Sequence, residues 1–455
     1  MRPRSDTDTI ASLATPVGGG VGIVRVSGSK ALAIAERVFQ SKYAPPFESH
    51  RIYFGVVRDP HTGEPIDRAL LFVYRAPRSY TGEDVVEFSC HGGSYLLHRV
   101  LELVWAEGAR PAEPGEFTQR AFLNGKLDLA QAEAVADLVR ARTQAQHRCA
   151  LALHGGMLSR RVRSLMEALL GLLARVEAHL DFSEEIGEMA PAQLLSPVSQ
   201  IRDELDSLLA HATQGKLLRE GVRVAIVGCP NVGKSSLLNA LLGEARAIVT
   251  PLPGTTRDLI EESLQVRGVP FVLVDTAGLR DSTDVVEQLG IERTRQAIQQ
   301  ADFILLVLDA SEGITEADRV LLQSLPNETP RIIVWNKCDL LSGHTRPVLA
   351  EERQVWVSAL TCAGLESLLE TMLHCTGLAE AGEATPMLTH QRHIEAIRSA
   401  REHLDQARLN LEGGMPPDIV AVDLRSAWLV LGEITGDTVD EALIDRIFRD
   451  FCIGK

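Results

Sequence analysis

The chain has 455 residues, a formal net charge of −15, and 45% hydrophobic against 24% charged residues. This is the make-up of an ordinary globular protein with room for about two to four domains. No apolar run approaches the ~20 residues that span a bilayer. So acidic a chain argues against a broad basic face for RNA, and a nucleic-acid partner is expected through a local contact or a second protein that carries the affinity.

The start, Met1-Arg-Pro-Arg-Ser-Asp-Thr-Asp8, has no apolar segment behind its arginines and does not read as a secretory signal. The first ~120 residues alternate short β-patterned segments at 22–27, 52–57 and 69–74 with Gly/Pro turns, an α+β pattern. The run Gly18-Gly-Gly-Val-Gly22 is read as a turn, because Ile23 stands where a dinucleotide fingerprint needs its last glycine. Next come two apolar stripes at helical spacing: Val162, Leu165, Leu169, Leu173, Val176 and Leu180, then Ile201, Leu205, Leu208 and Leu209.

Between 222 and 376 the pattern changes to strand, polar turn and helix. Apolar runs at 223–227, 271–274, 303–308, 331–335 and 355–357 predict a parallel sheet with crossover helices. Helical spacing returns at 393–411 and 418–451. An α/β unit thus interrupts a helical region, with linkers expected near 211–221 and 377–386. The predicted domains are an N-terminal α+β domain (1–120), the first half of an all-helical domain (121–218), an inserted α/β domain (219–377) and the second helical half (378–455). Seven scattered cysteines (Cys90, Cys149, Cys229, Cys338, Cys362, Cys375, Cys452) form no C-x-x-C pair. They argue against a disulfide framework or zinc site and for a reducing cytosol. Cys452 is no prenylation box, since Lys455 ends it.

The inserted domain carries the chemistry. Gly228-Cys-Pro-Asn-Val-Gly-Lys-Ser-Ser236 has the form G-x-x-x-x-G-K-[ST], whose backbone N–H groups curl around phosphates at a helix start. Lys234 is expected to reach the β- and γ-phosphates and Ser235 to ligate Mg2+. Asp275, at a strand end, holds Mg2+ through water, Thr256 supplies a second Mg2+ hydroxyl, and the Gly278 N–H meets the γ-phosphate. In Asn336-Lys-Cys-Asp339 the Asp339 carboxylate accepts from guanine's N1–H and exocyclic amine, a donor pair that adenine lacks. Asn336 and Lys337 are expected to brace the base, and Ser358-Ala359 to donate to its carbonyl. Four motifs in this order predict GTP and Mg2+ binding and γ-phosphate hydrolysis. Leu279 stands where Ras-like enzymes keep a water-orienting Gln, so another group must do that work.

These motifs, with Thr250-Pro-Leu-Pro-Gly-Thr-Thr-Arg-Asp258, Asp275-Thr-Ala-Gly-Leu-Arg280, the segment 120–133 and the ending Phe451-Cys-Ile-Gly-Lys455, resemble the tRNA uridine-modification GTPases of the MnmE (TrmE) family. The resemblance implies a homodimeric, K+-stimulated cytoplasmic GTPase. Such an enzyme adds a carboxymethylaminomethyl or aminomethyl group to C5 of the wobble uridine of certain tRNAs. It uses a one-carbon unit from 5-formyl-tetrahydrofolate or a related folate, and works with an FAD-dependent partner of the MnmG family, as a heterotetramer.

The resemblance places GTP contacts at Asn231, Val232, Gly233, Lys234, Ser235, Ser236, Thr250, Thr255, Thr256, Asp275, Thr276, Ala277, Gly278, Asn336, Lys337, Asp339, Ser358 and Ala359. K+ is assigned to Asn231, Thr250, Leu252 and Thr255, water positioning to Glu287, and folate to Arg25, Glu87, Lys126 and Lys455. Cys452 stands beside the folate pocket as a candidate for one-carbon chemistry. Pro251 and Pro253 depart from the commoner family pattern and stiffen the K+ loop. The rival reading, a regulatory or ribosome-assembly GTPase, accounts for the nucleotide motifs but not for the Cys-Ile-Gly-Lys ending.

Overall fold

The structure, a computed structural model, describes residues 8–181, 192–244, 246–247, 261–275, 297–326, 328–341, 348–349, 352–378, 388–449, 451 and 454. The chain forms two compact units, each built from separated segments. One joins residues up to Val139 with Leu153–Val198 and residues from Glu402 onward; the other joins Arg140–Ala152 with Ser199–Arg401.

The first unit holds a seven-stranded sheet of β1 (Ile10–Leu13), β2 (Val21–Ser27), β3 (Phe39–Ser41), β4 (Arg51–Arg58), β5 (Pro65–Tyr74), β6 (Val85–His91) and β7 (Arg110–Pro111), in the order β3-β4-β5-β6-β2-β1-β7. The expected turn leads directly into β2. Alternation along β2 buries Val24 and Val26 against a core that includes Ile34 of helix Ala31–Val38 and Leu97 and Val100 of helix Ser94–Ala106. The same alternation turns Arg25 to the opposite face, where the antiparallel register sets it across from Glu87 of β6.

Helices complete this unit. The stripe predicted at 162–180 lies on helix Met157–Asp181, which buries Val162, Leu165, Leu169 and Val176 and packs against helix Pro417–Thr435. The second C-terminal stripe is not one helix. Left-handed Gly436 ends Pro417–Thr435, and Glu441–Arg449 follows. That last helix seats Ile444 and Phe448 with Phe122 and Leu129, and its Asp445 accepts from Gln119 at 3.1 Å.

In the second unit β8 (Val222–Val227), β9 (Arg246–Ala247), β10 (Glu261–Val266), β11 (Val269–Asp275), β12 (Phe303–Asp309), β13 (Arg331–Asn336) and β14 (Arg353–Trp356) form a sheet in the order β14-β13-β12-β8-β11-β10-β9. The five strands read from apolar runs pair in parallel, as expected. Two further strands make the sheet mixed. β10 and β9 are antiparallel, with β10 joined to β11 by a turn at Arg267-Gly268. Only Leu264 and Val266 of β10 are apolar, too few for a run.

Both faces of this sheet are covered. Val224 and Ile226 face a core shared with Leu237, Leu241, Leu368 and Met372, while Ala225 and Val227 face one with Leu306, Ile333 and Trp335. The linker expected at 211–221 is instead helix Ala212–Glu220. Its Leu218 joins the first of these cores, and Gln146 caps its end by donating to the Arg219 carbonyl at 3.0 Å. The linker expected at 377–386 falls almost wholly outside the described residues.

Among the described residues no helix is long and apolar enough to cross a membrane, and no group of three His, Cys, Asp or Glu side chains could hold a metal ion.

Candidate nucleotide and cofactor sites

The phosphate loop leaves β8 and enters helix Lys234–Glu244. Val232 is buried and pins the loop to the sheet core, whereas Asn231, Ser235 and Ser236 are exposed. Gly233 sits at φ +93, and a Cβ there would land on Asn336 Nδ2, so only glycine fits. The Lys234 ammonium lies across the loop, donating to the carbonyls of Gly228 and Cys229 at 2.8 Å each. Cys229 is not a ready nucleophile: burial, then its neighbour Asp318, push the thiol up to about 11.

Asn336 ends β13 with only 2% of its surface exposed. Its Nδ2 donates to the Val232 carbonyl at 2.9 Å, and its Oδ1 accepts from Ala359 N–H at 3.0 Å. Its amide therefore braces the phosphate loop against the Ser358-Ala359 loop. Ser358 is fully buried, its hydroxyl accepting from Thr361 N–H at 3.1 Å.

Lys337, in a left-handed conformation, extends to Asp309 at 2.6 Å. Burial pushes the Asp309 carboxyl up, but hydrogen bonds from Lys337 and Ser311 outweigh it and hold it below the ordinary range. Asp309 went unread in the sequence, although it ends β12 as Asp275 ends β11. Asp339 is exposed on the short 3-10 turn Cys338–Leu340, free to face a base.

The second site lies in the first unit. A cavity of about 420 Å³ is lined by Arg25, Glu87, Tyr74, Tyr80 and His154, with Val135 and Leu138 among its apolar wall. Arg25 Nε donates to Glu87 Oε1 at 2.7 Å, the two side chains being 18% and 17% exposed. A second guanidinium nitrogen reaches the Gly454 carbonyl at 3.4 Å. The guanidinium also lies 5.7 Å from the Tyr80 ring centre and 5.6 Å from that of Phe117. Burial raises the Tyr80 hydroxyl, so it stays protonated and bonds to Thr118 at 2.9 Å. Lys126 is exposed with its stem beside Gly82, two residues beyond Tyr80.

Two family descriptions match the chain: "GTP-binding protein TrmE N-terminus" over residues 9–126 and "MnmE helical domain" over residues 129–452. A protein of Geobacillus thermodenitrificans named tRNA modification GTPase MnmE is 46% identical over 99% of this chain and 100% of its own length. One of the same name from Moorella thermoacetica is 49% identical over 98% and 99%. The chain belongs to the MnmE family of tRNA modification GTPases.

Against that family's pattern, the fold brings together Asn231 to Ser236 with Asn336 and Ala359 at one site, and Arg25 with Glu87 at the other. Asp275 ends β11, with its backbone paired to Ile226. Thr250, Leu252, Thr255, Thr256, Thr276, Ala277, Gly278, Glu287, Cys452 and Lys455 lie outside the described residues. Tyr74, Tyr80 and His154 were not anticipated as pocket residues. Tyr80 had a faint signal, an aromatic in a Ser-Tyr-Thr-Gly turn before β6. His154, at the end of helix Gln144–His154, had none.

Proposed function

We propose that this MnmE-family chain is a homodimeric, cytoplasmic, K+-stimulated GTPase that modifies C5 of the wobble uridine of certain tRNAs. In this reading it works with an FAD-dependent partner and a formyl-tetrahydrofolate. One observation carries the cofactor half: an Arg25–Glu87 pair lines one cavity with Tyr74 and Tyr80, and Arg25 also reaches the Gly454 carbonyl. Bound there, the folate supplies a one-carbon unit.

The chain's own groups suit such a ligand. Arg25 holds one oxygen of Glu87, leaving the carboxylate fixed to accept from the adjacent N–H donors of a pterin. Tyr74 and Tyr80 offer flat faces to a planar ring, while Lys126 and Lys455 are the cations proposed for the anionic tail. At the nucleotide site the loop N–H groups and Lys234 bind the β- and γ-phosphates, Ser235 and Thr256 hold Mg2+, and Asp339 selects guanine. Asn231, Thr250, Leu252 and Thr255 are proposed for K+, which supplies the positive charge that an arginine gives elsewhere. Glu287 orients the attacking water in place of Leu279.

The test is mass spectrometry of nucleosides from tRNA of cells lacking the chain, rescued with wild type or Glu287→Ala. Loss of wobble C5-modified uridine that only wild type restores supports modification coupled to GTP hydrolysis. Persistence of the modified uridine in the deletion overturns the reading in favour of an assembly GTPase.

A further inference from the structure

The first sheet carries a second cavity, of about 310 Å³, at its β3 edge, where helix Ala31–Val38 runs into that strand and the end of β4 comes alongside. Three charges line it: exposed Glu36 and Arg37 from the last turn of the helix, and half-buried Arg58 at the register shift that ends β4. Among the described residues neither the Glu36 nor the Arg58 side chain has an ion pair or hydrogen bond, and they do not bond to each other. The neighbours are already committed. Arg37 pairs with Glu107 at 3.1 Å, and Asp59 takes Arg99 at 3.1 Å.

Arg58 is the anomaly. Its Nε is shut away from water with no acceptor, an arrangement that is costly unless something else supplies one. The remaining wall includes Phe39, Tyr43 and Phe47, which fit an apolar side chain. A cation and an anion that share a cavity without neutralising each other, beside an aromatic wall, match one common chemistry. An α-amino acid offers a carboxylate to Arg58, an ammonium to Glu36 and a side chain to the rings.

We propose that this cavity binds a free α-amino acid of modest size. The site is separate from Arg25 and Glu87, and the inference does not depend on the folate reading.

Calorimetric titration of the full chain with L-leucine tests it, with N-acetyl-leucine and leucine methyl ester each removing one charge. Leucine should bind in the millimolar range or tighter, and glycine more weakly, for want of the apolar contact. Both blocked forms should fail. Arg58→Met and the surface change Glu36→Gln should each weaken leucine about tenfold or more, the loss of a charge-assisted hydrogen bond. GTP binding should be unchanged in both variants, which checks that they fold.

Three results overturn the proposal: no heat with wild type at about 10 mM leucine, binding that Glu36→Gln leaves intact, or N-acetyl-leucine binding as well as leucine. The last would make the cavity a simple carboxylate site.

Discussion

Asn336 offers the sharpest test of how the nucleotide site is held. Its amide makes one hydrogen bond to the Val232 carbonyl and one to the Ala359 N–H, and it is 2% exposed. Asn336→Ala removes both and leaves two backbone groups to find other partners. At about 1 kcal/mol net per hydrogen bond the coupling between the loops falls by about 2 kcal/mol, or roughly thirtyfold in affinity. The loss should appear in GDP and GTP alike, because the brace grips the loops and not the γ-phosphate. Turnover at saturating GTP should change far less. Titration with a fluorescent guanine nucleotide measures it. Asn336→Asp should do worse than alanine, since a carboxylate would then face the Val232 carbonyl. If Asn336→Ala binds GDP within about threefold of wild type, the brace is not what positions the two loops.

Three further outcomes follow from the geometry. Glu116, bonded to Arg110 and Arg120 and 2% exposed, is pushed up by burial, but those arginines and the Glu113 N–H bring it below its ordinary value of 4.5. Its contribution is therefore complete above that pH and lost as pH falls through the depressed folded value. Glu116→Gln should cost about 2 kcal/mol in urea unfolding at neutral pH and progressively less in acid; an equal deficit at both would contradict this. Arg25→Met should weaken 5-formyl-tetrahydrofolate binding at least about tenfold, by fluorescence titration, while leaving GTP affinity untouched; a parallel loss of both would point to misfolding instead. Cys229 should alkylate slowly at neutral pH, its thiol being held up at about 11, and a fast-reacting Cys229 in mass-mapped labelling would refute that environment.

The sequence carried the inserted sheet because its central strands are buried on both faces and so appear as unbroken apolar runs. β10 was invisible for the opposite reason: it has two apolar residues in six and takes its place by pairing with β11. The polar local composition of helix Ala212–Glu220 reads as a linker, while the burial of Leu218 is a tertiary event. At the sites, loop residues whose role is fixed by backbone geometry, such as Gly233 and Lys234, were legible from spacing alone. Asn336 was found from its motif, but its bond to the Val232 carbonyl was not, since a partner 104 positions away leaves no trace in a motif. Arg25 and Glu87 came only from resemblance. Nothing local marks two charges 62 residues apart as strand neighbours.

The way the first unit closes has a consequence for how the protein is made. Asp8 is clasped by Arg110 and Arg120, and Gly454, one residue from the other end, rests against Leu13 and Arg25. At φ +92, with Leu13's carbonyl where a Cβ would go, Gly454 admits no other residue without displacing the tail. During synthesis the early strands emerge long before the segment from Glu402 that completes their unit. At ~5–20 residues per second that interval is some tens of seconds. The nucleotide-binding unit has its last segment by Arg401, before the residues from Glu402 that complete the first unit, and Gly454 reaches Arg25 later still. A chain halted within helix Glu441–Arg449 would thus hold every segment of the nucleotide-binding unit but lack Gly454 beside Arg25.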